Sequence, residues 1–165
     1  MRSDKRIAVH SCLPEDVEVM LARARSKAID FVLIDNAPNW TSASPRIAAL
    51  ADLSIVTVRA AGFDLVVGLD RVKFLSQQRP STRFVVVIGP APAQRLGQDN
   101  PLVRSAREAL RHVGGRVWQR QITHRHVVVE SVGQGKTLME TEPNGPAARE
   151  YCRLWNGIIT ELQRT

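Results

Sequence analysis

The sequence predicts an α/β fold, a mostly parallel sheet with flanking helices, and three observations carry that expectation. Short apolar runs alternate with helical patterns along the whole length, as they do when helices cross over between parallel strands. Residues 30–38, Asp-Phe-Val-Leu-Ile-Asp-Asn-Ala-Pro, end an apolar run on a carboxylate, an amide and a proline, which is how a strand reaches the ligand-binding rim of an open α/β sheet. The chain has 165 residues, 44% of them hydrophobic, enough for one ordinary domain with a real core.

Strands are expected at residues 6–10, 31–34, 53–58, 84–88 and 116–118. The run 31–34 has the composition of a strand buried on both faces, which makes Asp35 the first residue to emerge at the rim. Between the first two strands, residues 14–27 read as a helix: Pro14 suits a first turn, Glu15, Asp16 and Glu18 complement the positive end of the helix dipole, and Arg23, Arg25 and Lys27 complement the other end. Residues 45–51 form a short helix with Ser44 as its cap, and 63–77 carry apolar residues on one side with Asp64, Asp70, Arg71 and Lys73 elsewhere. Asn100 caps the next helix, Pro101 occupies its first position and Gly114-Gly115 stops it. The last helix starts at Asn144-Gly145-Pro146, and Ala148, Tyr151, Cys152, Trp155, Ile158, Ile159 and Leu162 recur at spacings of three and four, a stripe expected to pack on the sheet. Residues 89–100, rich in Pro, Ala, Gln and Gly, are the longest expected loop.

The formal net charge of +7 and pI near 10.4 fit an anionic partner, with nucleic acid first and an acidic membrane surface second. Aromatic residues make up only 5%, which argues against stacking platforms for single strands. No apolar stretch approaches the roughly 20 residues of a membrane span, and the start has no secretory pattern, so a cytoplasmic location is expected. Cys12 and Cys152 have neither metal-site nor redox spacing and read as small packing residues.

With the elements placed, the chain resembles the ParA/MinD group of deviant P-loop ATPases, most closely the ParA-type proteins that partition plasmids and chromosomes. Residues 30–38 are similar to the family's Walker-B-side segment, with Asn36-Ala37 in place of its central pair. Ala51-Asp52-Leu53 and residues 54–58 are similar to the next strand, and Gly62-Phe63-Asp64-Leu65 to the turn after it. Residues 122–140, with Arg125, Glu130, Gly135-Lys136-Thr137 and Glu140, together with Glu142-Pro143-Asn144-Gly145 and residues 147–150, are similar to the C-terminal signature. The resemblance implies a single ParA-like domain over residues 1–165 that dimerises on ATP, coats double-stranded DNA without sequence preference and answers to a ParB-like adaptor. It also implies Mg²⁺ held near Asp35 and phosphate contacts to DNA from Arg120 and Arg125.

The chain departs from that pattern at the phosphate loop. No glycine precedes Asp30, whereas the family carries a glycine-rich loop with lysine upstream of everything matched. Gly133-Gln134-Gly135-Lys136-Thr137 is no substitute, because Glu130 stands where a Walker A pattern needs glycine. At the family's adenine-reading position Val87-Ile88-Gly89-Pro90 offers no side-chain hydrogen bond. The expectation is therefore an incomplete deviant P-loop fold, begun late or shortened, with impaired ATP and Mg²⁺ binding, retained DNA affinity, and an apolar groove where a central strand is lacking. A non-catalytic basic module that docks on DNA, a second copy or an intact relative is the alternative. A receiver-like phosphoacceptor domain is more remote, because His10-Ser11-Cys12 stands where its acidic pair belongs. The chain lacks the GxGxxG of a Rossmann fold, His10, His112, His124 and His126 have no catalytic motif around them, and His124 and His126 read as an i, i+2 metal pair on a strand or, more commonly, a solvated loop pair.

Overall fold

Three of the five expected strands form, and all three lie beyond residue 53. The computed structural model describes residues 7–36, 40–78 and 82–164. These fall into two compact units, a smaller one spanning Ser3–Asp52 and a larger one that contains Leu53–Thr165.

In the larger unit β1 (Ser54–Val58), β2 (Phe84–Ala91) and β3 (Val117–Thr123) pair in that order, all parallel. Two helices make the crossovers, α3 (Gly62–Ser76) and α4 (Pro101–His112). The central strand has the Val-rich composition of a strand covered on both faces, and Val86 and Ile88 are wholly buried. Around it Val58, Val72, Leu75, Val103, Ala106 and Leu110 complete the core. Gly68 lets α3 lie close on β1: a Cβ there would stand 2.6 Å from Val58 Cγ1. Asn100 caps α4 as expected, its side chain accepting from the Leu102 N–H at 3.0 Å, and Gly114, at φ +90°, ends the helix in the left-handed region.

Two strands run further than their composition suggests. β2 continues through Ala91, so the expected loop 89–100 is shorter, and Arg95 and Gln98 close part of it by exchanging backbone hydrogen bonds of 3.1 and 2.9 Å. β3 occupies Val117–Thr123 instead of 116–118, because its polar middle, Gln119 to Gln121, lies on the outer strand of the sheet and has no need to read as apolar.

The pairing of β2 with β3 slips. From Val86↔Val117 to Ile88↔Gln121, β3 advances four residues while β2 advances two. Within that slipped stretch the buried Arg107 of α4 donates to the carbonyl oxygens of Trp118 and, at 3.4 Å, Arg120. Its Nε and Nη2 meet the Asp99 carboxylate at 3.3 and 3.2 Å. One guanidinium thus ties the loop before α4, the helix and β3 together.

Beyond β3 come α5 (His126–Gly133), the short α6 (Leu138–Thr141) and α7 (Pro146–Gln163). The apolar stripe of α7 departs from its expected role. Ala148 is wholly buried, but Tyr151, Cys152 and Trp155 are exposed. The helix approaches the sheet through small residues instead, with Ala147 beside Ala148 in the core. Tyr151, Cys152, Trp155 and Asn156 line a surface groove of about 380 Å³ with Met139. Cys12 is exposed too, so neither cysteine is the packing residue expected.

The smaller unit carries a 3-10 turn at Pro14–Asp16, α1 (Val17–Ser26) and α2 (Ser44–Leu50), and Arg46 of α2 pairs with Glu18 of α1 at 2.8 Å. The helix expected at 14–27 forms as that turn and α1 together. Neither expected strand of this unit forms among the described residues: residues 7–10 and 31–36 lie in no strand, and Arg6 and Pro38 lie outside the described residues. An apolar run becomes a strand only when a neighbour takes its N–H and C=O groups, and the described residues of this unit supply helices and no sheet. Val9 and Leu33 are accordingly 87% and 81% exposed where burial was expected. Ser44 is not the cap of α2 but its first residue; Ala43 takes the cap position.

Arg107→Met should lower the unfolding free energy by about 3 kcal/mol, because it leaves the Trp118 and Arg120 carbonyls without their donor and Asp99 without its counter-charge. Arg107→Lys, which keeps the charge and loses the planar fork, should fall between that variant and the parent. Urea unfolding of both variants checks this; a Met variant within about 0.5 kcal/mol of the parent, as for an ordinary surface change, would remove Arg107 from its role.

Candidate functional site

Ligands of parallel α/β sheets gather at the carboxyl ends of the strands, and the structure builds a polar cluster there at the end of β3. Gln121, Thr123 and Arg125 alternate along the strand and the residues that follow, so their side chains share a side. The Gln121 amide donates to the Pro92 carbonyl at 2.7 Å and approaches the Thr123 hydroxyl at 3.4 Å. Glu150 reaches in from α7: its Oε2 accepts from the Thr123 N–H at 2.8 Å, and its Oε1 pairs with Arg125 Nη2 at 2.8 Å. Gln121 Oε1 and Arg125 Nε remain buried without a hydrogen-bond partner among the described residues.

Burial opposes the charged form of Glu150, but the hydrogen bond from Arg125, those from the Thr123 N–H and hydroxyl, and the nearby positive charge outweigh it. The carboxyl is held below the usual range. Burial and the Glu150 charge raise the neighbouring Tyr151 hydroxyl above its ordinary value. The cluster therefore holds a carboxylate ionised and locks it to an arginine, an arrangement suited to fixing α7 on the sheet.

Of the residues singled out in the sequence, Arg125 enters this cluster and is half-buried in its ion pair. Arg120 lies on β3 with its side chain exposed. Asp35 belongs to the other unit, exposed after an irregular stretch instead of at a strand end. Its neighbour Asn36 is oriented by α2, the Asn36 amide lying 3.5 Å from Ser44 Oγ, which also accepts from the Thr41 N–H at 3.1 Å. Glu150 was legible only as part of a motif, and Arg107 and Asp99 not at all, because a buried pair of side chains that also reaches two strand carbonyls leaves no pattern in the sequence.

A triphosphate or its Mg²⁺ finds no fitting cradle among these groups. At Gly133–Thr137 the capping box of α6 already occupies the amide that a phosphate would need: Thr137 N–H and hydroxyl donate to Glu140 Oε2 at 2.7 and 2.8 Å, placing a negative charge where the ligand's own would sit. His124 and His126 do not share a strand, since β3 ends at Thr123 and His126 begins α5, where it lies 3.1 Å from Glu130. Among the described residues no three His, Cys, Asp or Glu side chains stand close enough to hold a metal ion, and no helix is long and apolar enough to cross a membrane. Comparison with protein-family models finds no match, and none of the curated proteins matches the chain.

A carboxylate depressed by its folded surroundings stabilises the protein above its unfolded pKa, about 4.3, and loses that contribution as pH falls through the lower folded value. Urea midpoints measured from pH 7 down to pH ~3 should therefore fall less steeply below pH ~4.5 for Glu150→Gln than for the parent. Identical slopes would show that Glu150 is not held in the folded state as described.

Proposed function

We propose that the chain is a ParA-type partition protein that binds duplex DNA nonspecifically and, through the residues described, binds ATP weakly or not at all. The observation that carries this reading is the meeting of Arg125 and Glu150, 25 positions apart, at 2.8 Å. Both lie in the stretch that resembles the family's C-terminal signature, and their pair draws that stretch together at the carboxyl end of a parallel sheet. One further segment of the resemblance, residues 54–58, supplies β1, which pairs in parallel with β2.

The affinity for DNA rests on charge. A formal net charge of +7 spread over an arginine-rich surface attracts phosphate at long range, and arginine forks hold it at short range. Partners in this reading are duplex DNA, a ParB-like adaptor and a second copy or intact relative, with the nucleoid as the place of action.

The weakness toward ATP rests on the loop geometry. Glu140 takes the Thr137 N–H, and Asp35 stands on an irregular stretch without a facing phosphate loop among the described residues. A second reading, a non-catalytic basic module of the same descent, is favoured by that same cap: it needs the charged surface and no nucleotide.

Equilibrium binding of a labelled ATP analogue should give no saturable signal at micromolar protein, with or without Mg²⁺, while duplex DNA binds with log affinity falling steeply against log salt. Tight, Mg²⁺-dependent nucleotide binding would overturn the ATP half. A salt slope near zero would overturn the DNA half, because every phosphate neutralised releases counterions.

A further inference from the structure

The Arg107 tether fixes more than a strand register. Because its guanidinium reaches the Trp118 and Arg120 carbonyls, that flank of α4 runs along β3. The residues three before and four after Arg107 share its flank of the helix, and they are Arg104 and Arg111, both exposed. Arg120 is exposed on β3 itself, its carbonyl 3.4 Å from Arg107 Nη2. Nearby cations are already matched, Arg107 by Asp99 and Arg116 by Glu161. Among the described residues no ion pair engages Arg104, Arg111 or Arg120. Glu108, exposed between the two helix arginines, is the acidic group on the same side of α4, and it leaves the border net positive.

We infer that Arg104, Arg111 and Arg120 form the surface that contacts the phosphates of duplex DNA, and that Arg125, held by Glu150, is not part of it. This rests on the DNA half of the proposed function. Arg104 and Arg111 stand two helical turns apart, about 10 Å along the axis, close to the roughly 12 Å across the major groove. Two guanidiniums at that spacing can meet phosphates of opposite strands while Arg120 adds a third contact. A membrane surface suits the border less well, because anchoring there calls for apolar side chains beside the cations. Leu102, an exposed apolar residue of α4, lies two positions before Arg104 and so on the other side of the helix.

The test compares two triple variants of the full chain on a labelled duplex across a salt series. One is Arg104→Gln, Arg111→Gln, Arg120→Gln. The other removes the same charge from the end of α1 and the residue after it through Arg23→Gln, Arg25→Gln, Lys27→Gln, and melting midpoints confirm that both fold. The border variant should lose about 10-fold or more in affinity and its log–log salt slope should shrink by about 2 to 3, whereas the α1 variant stays within about 2-fold of the parent. Equal losses in the two variants would overturn the assignment while leaving DNA binding standing, since charge alone would then account for affinity. A parent that ignores duplex overturns the DNA reading and this assignment together. Capture by phosphatidylserine vesicles in that case would identify the border as membrane-facing instead.

Discussion

A buried guanidinium is tolerated only when its donors are matched, and the fourfold match at Arg107 is the constraint on which the larger unit depends. Two acceptors are main-chain carbonyls of β3 and the third is Asp99 Oδ2, which takes two of the four hydrogen bonds, so the interaction fixes backbone in space, beyond one side chain against another. It holds β3 in a slipped register against β2, and the slip sets where β3 ends. That end presents the Thr123 N–H and Arg125 to Glu150, which in turn seats α7. Core packing by Val86, Ile88 and Leu110 supplies most of the driving force, but apolar contact is indifferent to a slide of one residue pair. The polar contacts choose the register.

The same arrangement divides the charge of the molecule in a way that bears on function. At the end of β3 the Gln121 amide is taken by Pro92 and Arg125 Nη2 by Glu150, and at the start of α6 the Thr137 N–H is taken by Glu140. A small anion arriving at either place meets a carboxylate, Glu150 or Glu140, already paired with the nearest donor. Along the flank of α4 and β3, by contrast, Arg104, Arg111 and Arg120 are exposed and in no ion pair among the described residues, a geometry matched to an extended polyanion. Asp35, the residue that most suggested nucleotide chemistry, stands in the other compact unit.

What the sequence made legible was whatever is decided locally. The Asn100 cap, Pro101 at the helix start and the Gly114 stop act within a few residues of themselves, and α4 forms where they place it. The uninterrupted apolar run of β2 could hardly be anything but a covered strand. Residues 31–34 have the same composition and form no strand, because pairing depends on a neighbour that composition does not reveal. β3 was read short since an outer strand tolerates glutamine and arginine. On α7 the large apolar residues drew attention, yet Ala147 and Ala148 make the close approach and leave Tyr151 and Trp155 toward the surface. Arg107 looked like any other surface cation of an arginine-rich chain, since a guanidinium aimed at carbonyls has no sequence signature. For the candidate site, Arg125 was legible through its motif, and its capture by Glu150 was not.

Hydrogen exchange followed residue by residue tests the central claim most directly, because it reads the protection of the slipped strand itself. Amides of β2, β3 and α4 should exchange slowly and as one cooperative group, with those of residues 31–36 faster by orders of magnitude. Amides of Val117–Thr123 exchanging as fast as residues 31–36 would contradict it, for then Arg107 would not be holding β3 at all.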